Sequence, residues 1–107
     1  MTYEEIVKKV KTAAGKADAS NIKDHVAFQF NITGEGAGAF YLEIADGKIN
    51  VEPYEYYDRD ALIISSGDNI IKMMQGKLDP VLAFTMKKIS VEGDLGKALI
   101  LKDIVKK

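Results

Sequence analysis

Side chains that could do covalent or acid–base chemistry are few in this sequence and stand apart. His25 is the one histidine. It falls at the start of a predicted strand, where a surface histidine is the simpler reading and no partner for a general base is in view. There is no cysteine, so disulfides, thiolate metal sites and a thiol nucleophile are excluded and a reducing compartment fits. No Gly-x-Ser-x-Gly elbow occurs, and the carboxylates show neither paired-helix nor metal-loop spacing. Gly34-Glu-Gly-Ala-Gly38 lacks the Gly-Lys-Ser/Thr ending and the following helix of a phosphate loop, and reads as a hairpin turn. These patterns yield no catalytic residue, no metal ligand and no cofactor.

What the chain does concentrate is flexible apolar surface between Ser65 and Leu101. The chemistry open to it is reversible burial of an oily guest. Burial is worth roughly 25 cal/mol per Å², so an acyl chain with about 300 Å² covered gains about 7 kcal/mol before costs. Met73, Met74 and Met86 suit an adaptable wall, since an unbranched thioether fills irregular space. Phe28, Phe30, Phe40, Leu42, Ile70, Leu82, Phe84, Leu99 and Leu101 are the other wall candidates. Taken singly, each is better explained by ordinary core packing; the ligand reading rests on the set. Lys77, Lys87, Lys88, Lys97 and Lys102 could draw in a carboxylate, a phosphate or an anionic membrane, although a solvated lysine face is the simpler account of each. Lys102 lies inside the apolar arc of its predicted helix. That makes it the head-group candidate, against a stem that packs while its ammonium reaches water.

Local signals place these residues on elements. Thr2 and Glu5 form a capping box, and Tyr3, Ile6, Val7, Val10, Ala13, Ala14 and Ala17 recur at helical spacing for about four turns. Residues 18–24 read as a loop. Val26, Phe28, Phe30 and Ile32, then Phe40, Leu42 and Ile44, then Ile49 and Val51, alternate with polar or small residues. Asp46-Gly47 is a tight-turn signal, and the three strands form an antiparallel meander with one buried face. Residues 54–60 read as an exposed connection, with a ligand-touching aromatic rim as the alternative. Ala61 to Ile64 suits an interior strand. Ser65, Ser66 and Asp68 start a helix that Gly76 stops, and Asp79-Pro80 starts another. Ile89 and Val91 mark a fifth strand. Leu95 to Val105 reads as one helix, apolar on most sides, that must be covered on most sides.

The 107 residues suit one domain over 1–107, with 47% hydrophobic residues to fill it. A formal net charge of −1 argues against a nucleic-acid partner. No apolar run reaches the roughly 18 residues of a membrane span. The Met-Thr-Tyr-Glu-Glu start does not read as a signal peptide, and the Ile-Val-Lys-Lys end is not a peroxisomal Ser-Lys-Leu address. A cytoplasmic location is expected.

Five motifs together resemble the sterol-carrier-protein type-2 domain: Asp60-Ala-Leu-Ile-Ile-Ser65, Gly76-Lys-Leu-Asp-Pro80, Ala83-Phe84, Lys88-Ile-Ser-Val-Glu-Gly-Asp94, and Ala98 with Leu101. The likeness covers roughly residues 60–101, and the helix and meander before it agree in order. It implies an α+β fold: a five-stranded mixed, mainly antiparallel β-sheet covered on one face by helices, with a hydrophobic tunnel between. It also implies a ligand such as a fatty acid, fatty acyl-coenzyme A, a sterol or an isoprenoid-like lipid, and no covalent chemistry. Lys87 departs from the family, in which many members carry glycine there, so a changed turn into the fifth strand is expected. Transient membrane-surface contact fits a carrier, as monomer or homodimer. A non-catalytic accessory or dimerisation module, holding a hydrophobic intermediate for a partner enzyme, is the alternative. An acyl-thioester hydrolase is the weakest reading.

Overall fold

The computed structural model describes residues 1–105; of the Ile-Val-Lys-Lys end, the last two residues lie outside the described ones. The chain opens with helix α1 (Tyr3–Ala14). The Thr2 hydroxyl accepts from the Glu5 amide at 3.2 Å and the Glu5 carboxylate accepts from the Thr2 amide at 2.8 Å. The helix ends near Ala14, a turn short of the periodicity's reach to Ala17. Gly15 weakens the helix there, and the Lys16 and Ala17 amides bond three residues back instead of four.

Strands β1 (Val26–Thr33), β2 (Gly38–Ala45) and β3 (Lys48–Glu52) form the expected meander. Asp46 and Gly47 turn between β2 and β3 with φ of 53° and 75°, the left-handed pair that a two-residue hairpin requires. β4 (Ala61–Ser66) then lies parallel to β1, and β5 (Ser90–Gly93) antiparallel to β4. The sheet order is β3-β2-β1-β4-β5. Helices α2 (Gly67–Met74), α3 (Pro80–Thr85), α4 (Leu95–Ala98) and α5 (Ile100–Ile104) join α1 on one face of the sheet. Val26, Phe28, Phe30, Phe40, Leu42, Ile44 and Ile63 point to that face and are fully buried.

The opposite face is not bare. The connection after β3 crosses it: Gln29, buried there, accepts from the Tyr56 amide at 3.1 Å and from Arg59 at 3.2 Å, and donates to Asn31 at 2.9 Å. Tyr56 stands edge-on to Tyr41 with ring centroids 5.0 Å apart. Tyr54 and Tyr57 are exposed, as expected of this stretch, but Tyr56 is held.

The predicted single helix over Leu95–Val105 is broken at Leu99, where the Lys102 amide bonds to the Leu99 carbonyl, three residues back. The break lets Leu101 and Ile104 turn into the core while Leu95 and Leu99 stay half-exposed. A straight helix of this composition would leave one apolar side in water.

Two turns carry the family's motifs. Gly93 has φ of +98°, and a Cβ there would stand 2.7 Å from the Asp60 carbonyl oxygen. Asp60 is a clasp. Its carboxylate accepts from the Ala27 amide at 2.9 Å and from Lys97 at 3.1 Å, and its carbonyl accepts from the Asp94 amide at 2.8 Å. Burial pushes the Asp60 carboxyl up, but the Ala27 amide and the Lys97 ammonium outweigh it and hold the group below the ordinary aspartate value of 3.8. A depressed carboxyl stabilises the fold above its unfolded value and loses that contribution as pH falls through the folded one. Asp60→Asn is therefore expected to lower the urea midpoint at about pH 7, with the difference from wild type shrinking as pH falls below the ordinary aspartate value of 3.8. A difference that persists in acid would assign the loss to geometry instead of charge.

The second turn ends α3. The Lys88 amide bonds to the Ala83 carbonyl at 2.8 Å and the Lys87 amide to Phe84 at 3.1 Å, with Lys87 at φ of +61°. This is the Schellman arrangement, whose left-handed residue is normally glycine. The turn is kept, with a lysine carrying the strain. Lys87→Gly is expected to raise stability by about 0.5–1 kcal/mol, read as a higher urea midpoint. A lower midpoint would reveal a compensating lysine contact.

Candidate functional site: an apolar cavity under α3 and α4

The helical layer is closed over most of the sheet and open at one end. There a cavity of about 220 Å³ lies between the β4–β5 edge and the last three helices. Ile63, Ile89 and Val91 form its sheet side. Pro80, Val81 and Phe84 of α3 form one wall, and Leu95, Gly96, Ala98, Leu99 and Leu101 the other. No lining residue carries a charged or hydrogen-bonding side chain. Local rules explain its walls. Val81 and Phe84 are three apart on α3, Leu95 and Leu99 four apart, and Ile63 pairs in register with Val91. Asp79 holds the start of α3, accepting from the Val81 and Leu82 amides at 2.8 and 3.3 Å.

Of the wall candidates, Phe84, Leu99 and Leu101 line this cavity. Phe28, Phe30, Phe40, Leu42 and Ile70 sit in the packed interior, fully buried. Phe30 and Phe40 stack there at 4.9 Å. Met73 is buried and borders a small hollow of about 30 Å³ with Leu78, Asp79, Pro80 and Lys102. Met74 is buried and borders a lysine-lined groove beside α1, formed with Lys9, Lys16 and Lys77. Leu82 on α3 and Met86, which caps that helix, are exposed, outside the cavity's lining.

Lys102 reaches Asp79 at 3.2 Å. The Leu82 amide and Lys102 hold the Asp79 carboxyl below its ordinary range. Pro80 borders both the cavity and the small hollow, and Lys102 lines the hollow. Sequence reasoning missed Ile63, Pro80, Val81, Ile89, Val91, Leu95, Gly96 and Ala98. The alternation of Ile89 with Val91 and the four-residue step from Leu95 to Leu99 were the available signals.

A further group of titratable side chains lies away from the cavity. His25 Nε2 is 2.5 Å from Glu43 Oε2, and the Tyr56 hydroxyl donates to the same oxygen at 3.1 Å. The His25 bond, helped by Tyr56 against burial, holds Glu43 low, while burial and Glu43 push Tyr56 up. Glu43 and Tyr56 lie on the sheet face opposite the cavity. Among the described residues no group of three or more His, Asp or Glu is placed to hold a metal ion, and no helix is long and apolar enough to cross a membrane.

A five-stranded mixed sheet with one helical layer and an apolar hollow at its edge defines the class of fold. The chain belongs to the SCP-2 sterol transfer family, whose pattern matches residues 4–106. It is 38% identical over 80 residues to hydroxysteroid dehydrogenase-like protein 2 of Xenopus tropicalis, a match covering 73% of this chain and 19% of that protein. The chain thus spans about a fifth of the length of such relatives. The same fold recurs in palmitated SCP2L2 of Aedes aegypti, with TM-score 0.66, 21% identity, and coverage of 96% of this chain and 93% of that one. It recurs also within the sec-alkyl sulfatase PisA1, with TM-score 0.75, 12% identity, and coverage of 91% of this chain but 16% of the enzyme.

Proposed function

We propose that the chain is one lipid-binding domain, cytoplasmic and without catalysis of its own, that takes up the alkyl part of a fatty acid, fatty acyl thioester, sterol or isoprenoid by reversible burial. The observation that carries this is the cavity's lining of eleven residues, every one apolar or glycine. Family membership and the palmitated mosquito relative support the same reading. Small-molecule sites usually enclose about 300–1,000 Å³, so about 220 Å³ holds part of an acyl chain. A longer guest pushes α3 outward or extends past Pro80 toward Met73, making the tunnel the family resemblance implies. A carboxylate at that end would compete with Asp79 for Lys102. Displacement of a fluorescent fatty acid tests the proposal. Binding at micromolar concentration is expected; failure with acyl chains, sterols and isoprenoids alike would overturn it.

A second reading has its own support. The matches inside a dehydrogenase-like protein and a sulfatase cover only 19% and 16% of those chains, as expected of an accessory module holding a hydrophobic intermediate for a partner enzyme. Both readings use the same cavity.

A further inference from the structure

Strand β5 ends the sheet on one side, and no strand follows it in the order. Its flanks show which backbone groups are left open. At one end the Lys88 carbonyl accepts from the Ser65 hydroxyl at 2.8 Å and from Asn69 at 3.2 Å. At the other the Asp94 amide bonds to the Asp60 carbonyl at 2.8 Å. Both ends therefore turn toward β4. Backbone direction alternates along a strand, so Ser90 and Glu92 turn toward β4 as well, in register with Ile64 and Leu62. Ile89 and Val91 present their amides and carbonyls to the open edge. Such an edge is a template for another strand unless something covers it.

The residues along this edge complement themselves. Lys88-Ile-Ser-Val-Glu92 has an apolar residue on each side of Ser90 and opposite charges at its ends. Laid antiparallel to a copy of itself about Ser90, it sets each Lys88 opposite the other copy's Glu92 and each Ile89 opposite the other copy's Val91. The outward backbone groups of Ile89 and Val91 then meet each other. Lys88, Ser90 and Glu92 are exposed, and among the described residues neither Lys88 nor Glu92 has an ion-pair partner within its own chain. Apolar surface also awaits cover here. Val81, Phe84, Leu95 and Leu99 border the cavity whose sheet side includes Ile89 and Val91, and each is between 42% and 51% exposed.

We propose that a second copy of the chain pairs with β5, two-fold about Ser90. One sheet then runs through both copies, with the helices of both on the same face. Ile89 and Val91 of the two copies adjoin on that face, so the two cavities open toward each other. One cavity of about 220 Å³ falls short of the roughly 300–1,000 Å³ usual for a small-molecule site, whereas two that adjoin fall within it. That consequence rests on the lipid-binding reading; the pairing itself does not. A strand of unrelated sequence would gain the backbone bonds without both Lys–Glu pairs.

Sedimentation velocity of the full chain over a concentration series tests the pairing. Wild type is expected to dimerise. Lys88→Glu and Glu92→Lys each turn two Lys–Glu pairs into two like-charge pairs, and each is expected to raise the dimer dissociation constant about tenfold or more. Mixed together, the two variants are expected to form a heterodimer, because the lysines of one meet the glutamates of the other. A variant that had only lost stability would show no such recovery. Ser90→Cys gives a second measurement. Ser90 faces its own copy as a non-hydrogen-bonded pair, with Cα atoms about 4.5 Å apart, within the span of a disulfide. The chain has no native cysteine to compete. Mild oxidation is expected to yield a covalent dimer of Ser90→Cys, and little from Asn50→Cys, exposed on the far edge strand β3. Wild type that stays monomeric at millimolar concentration overturns the proposal. So does a dimer that either charge variant leaves intact, a mixture that forms no heterodimer, or a Ser90→Cys variant that crosslinks no faster than Asn50→Cys. A dimer that passes these tests and binds no fatty acid upholds the pairing and overturns the lipid-binding reading.

Discussion

Ala98→Trp is expected to weaken fatty-acid binding by more than about a hundredfold while leaving the fold intact. Ala98 stands on the cavity wall between Gly96 and Leu99, and its methyl is partly buried against the core. An indole there projects into space that the fold leaves empty. It takes the place of about four methylenes of a guest, each worth about 0.8 kcal/mol, or about 3 kcal/mol in all. Because the ring enters a hollow, the thermal midpoint of the ligand-free variant should match or exceed wild type. Equilibrium titration with a fluorescent acyl probe reads the first effect and thermal unfolding the second. Unchanged affinity in a folded variant would mean that the guest sits elsewhere.

Phe30→Ala is expected to cost about 4 kcal/mol of stability. Phe30 is wholly buried at the centre of the sheet, and its ring lies 4.9 Å from that of Phe40, its partner across β1 and β2, with 6° between the planes. Removing it deletes a stacked pair and leaves a void where neighbouring strands cannot close in. A domain of this size has about 5–15 kcal/mol in total, so a large share goes with one side chain. Urea denaturation gives the number. A loss below about 1.5 kcal/mol would show that Phe30 faces loose space, and would extend the cavity beneath α1 and α2.

The contrast between these two substitutions locates what the sequence could and could not say. The capping box at Thr2 and Glu5, the Asp79-Pro80 helix start, the Asp46-Gly47 turn and the two-residue alternation from Val26 to Val51 are local devices. Each is legible because its partners lie within a few residues. Whether an apolar side chain fills the core or lines a hollow is not local. Phe28 and Phe84 are the same residue type, yet one is sealed beneath the helices and the other borders the cavity, because coverage depends on how far the α3–α5 layer reaches over the sheet edge. Gln29 is a similar case. Its burial comes from Tyr56 and Arg59 on a loop 27 and 30 residues away, which no pattern around Gln29 announces. The break at Leu99 also escaped, since the periodicity of Leu95, Ala98, Leu99 and Leu101 fits one helix as well as two. Lys87 shows the reverse. The family resemblance flagged the position, and the backbone keeps the glycine geometry with a lysine in it.

Occupancy of the hollow is most directly measured by intermolecular nuclear Overhauser effects between palmitate methylenes and methyl groups of the protein. Contacts to Ile63, Val81, Val91, Leu99 and Leu101 are the predicted result. Contacts confined to other methyls, or none at saturating palmitate, would contradict it.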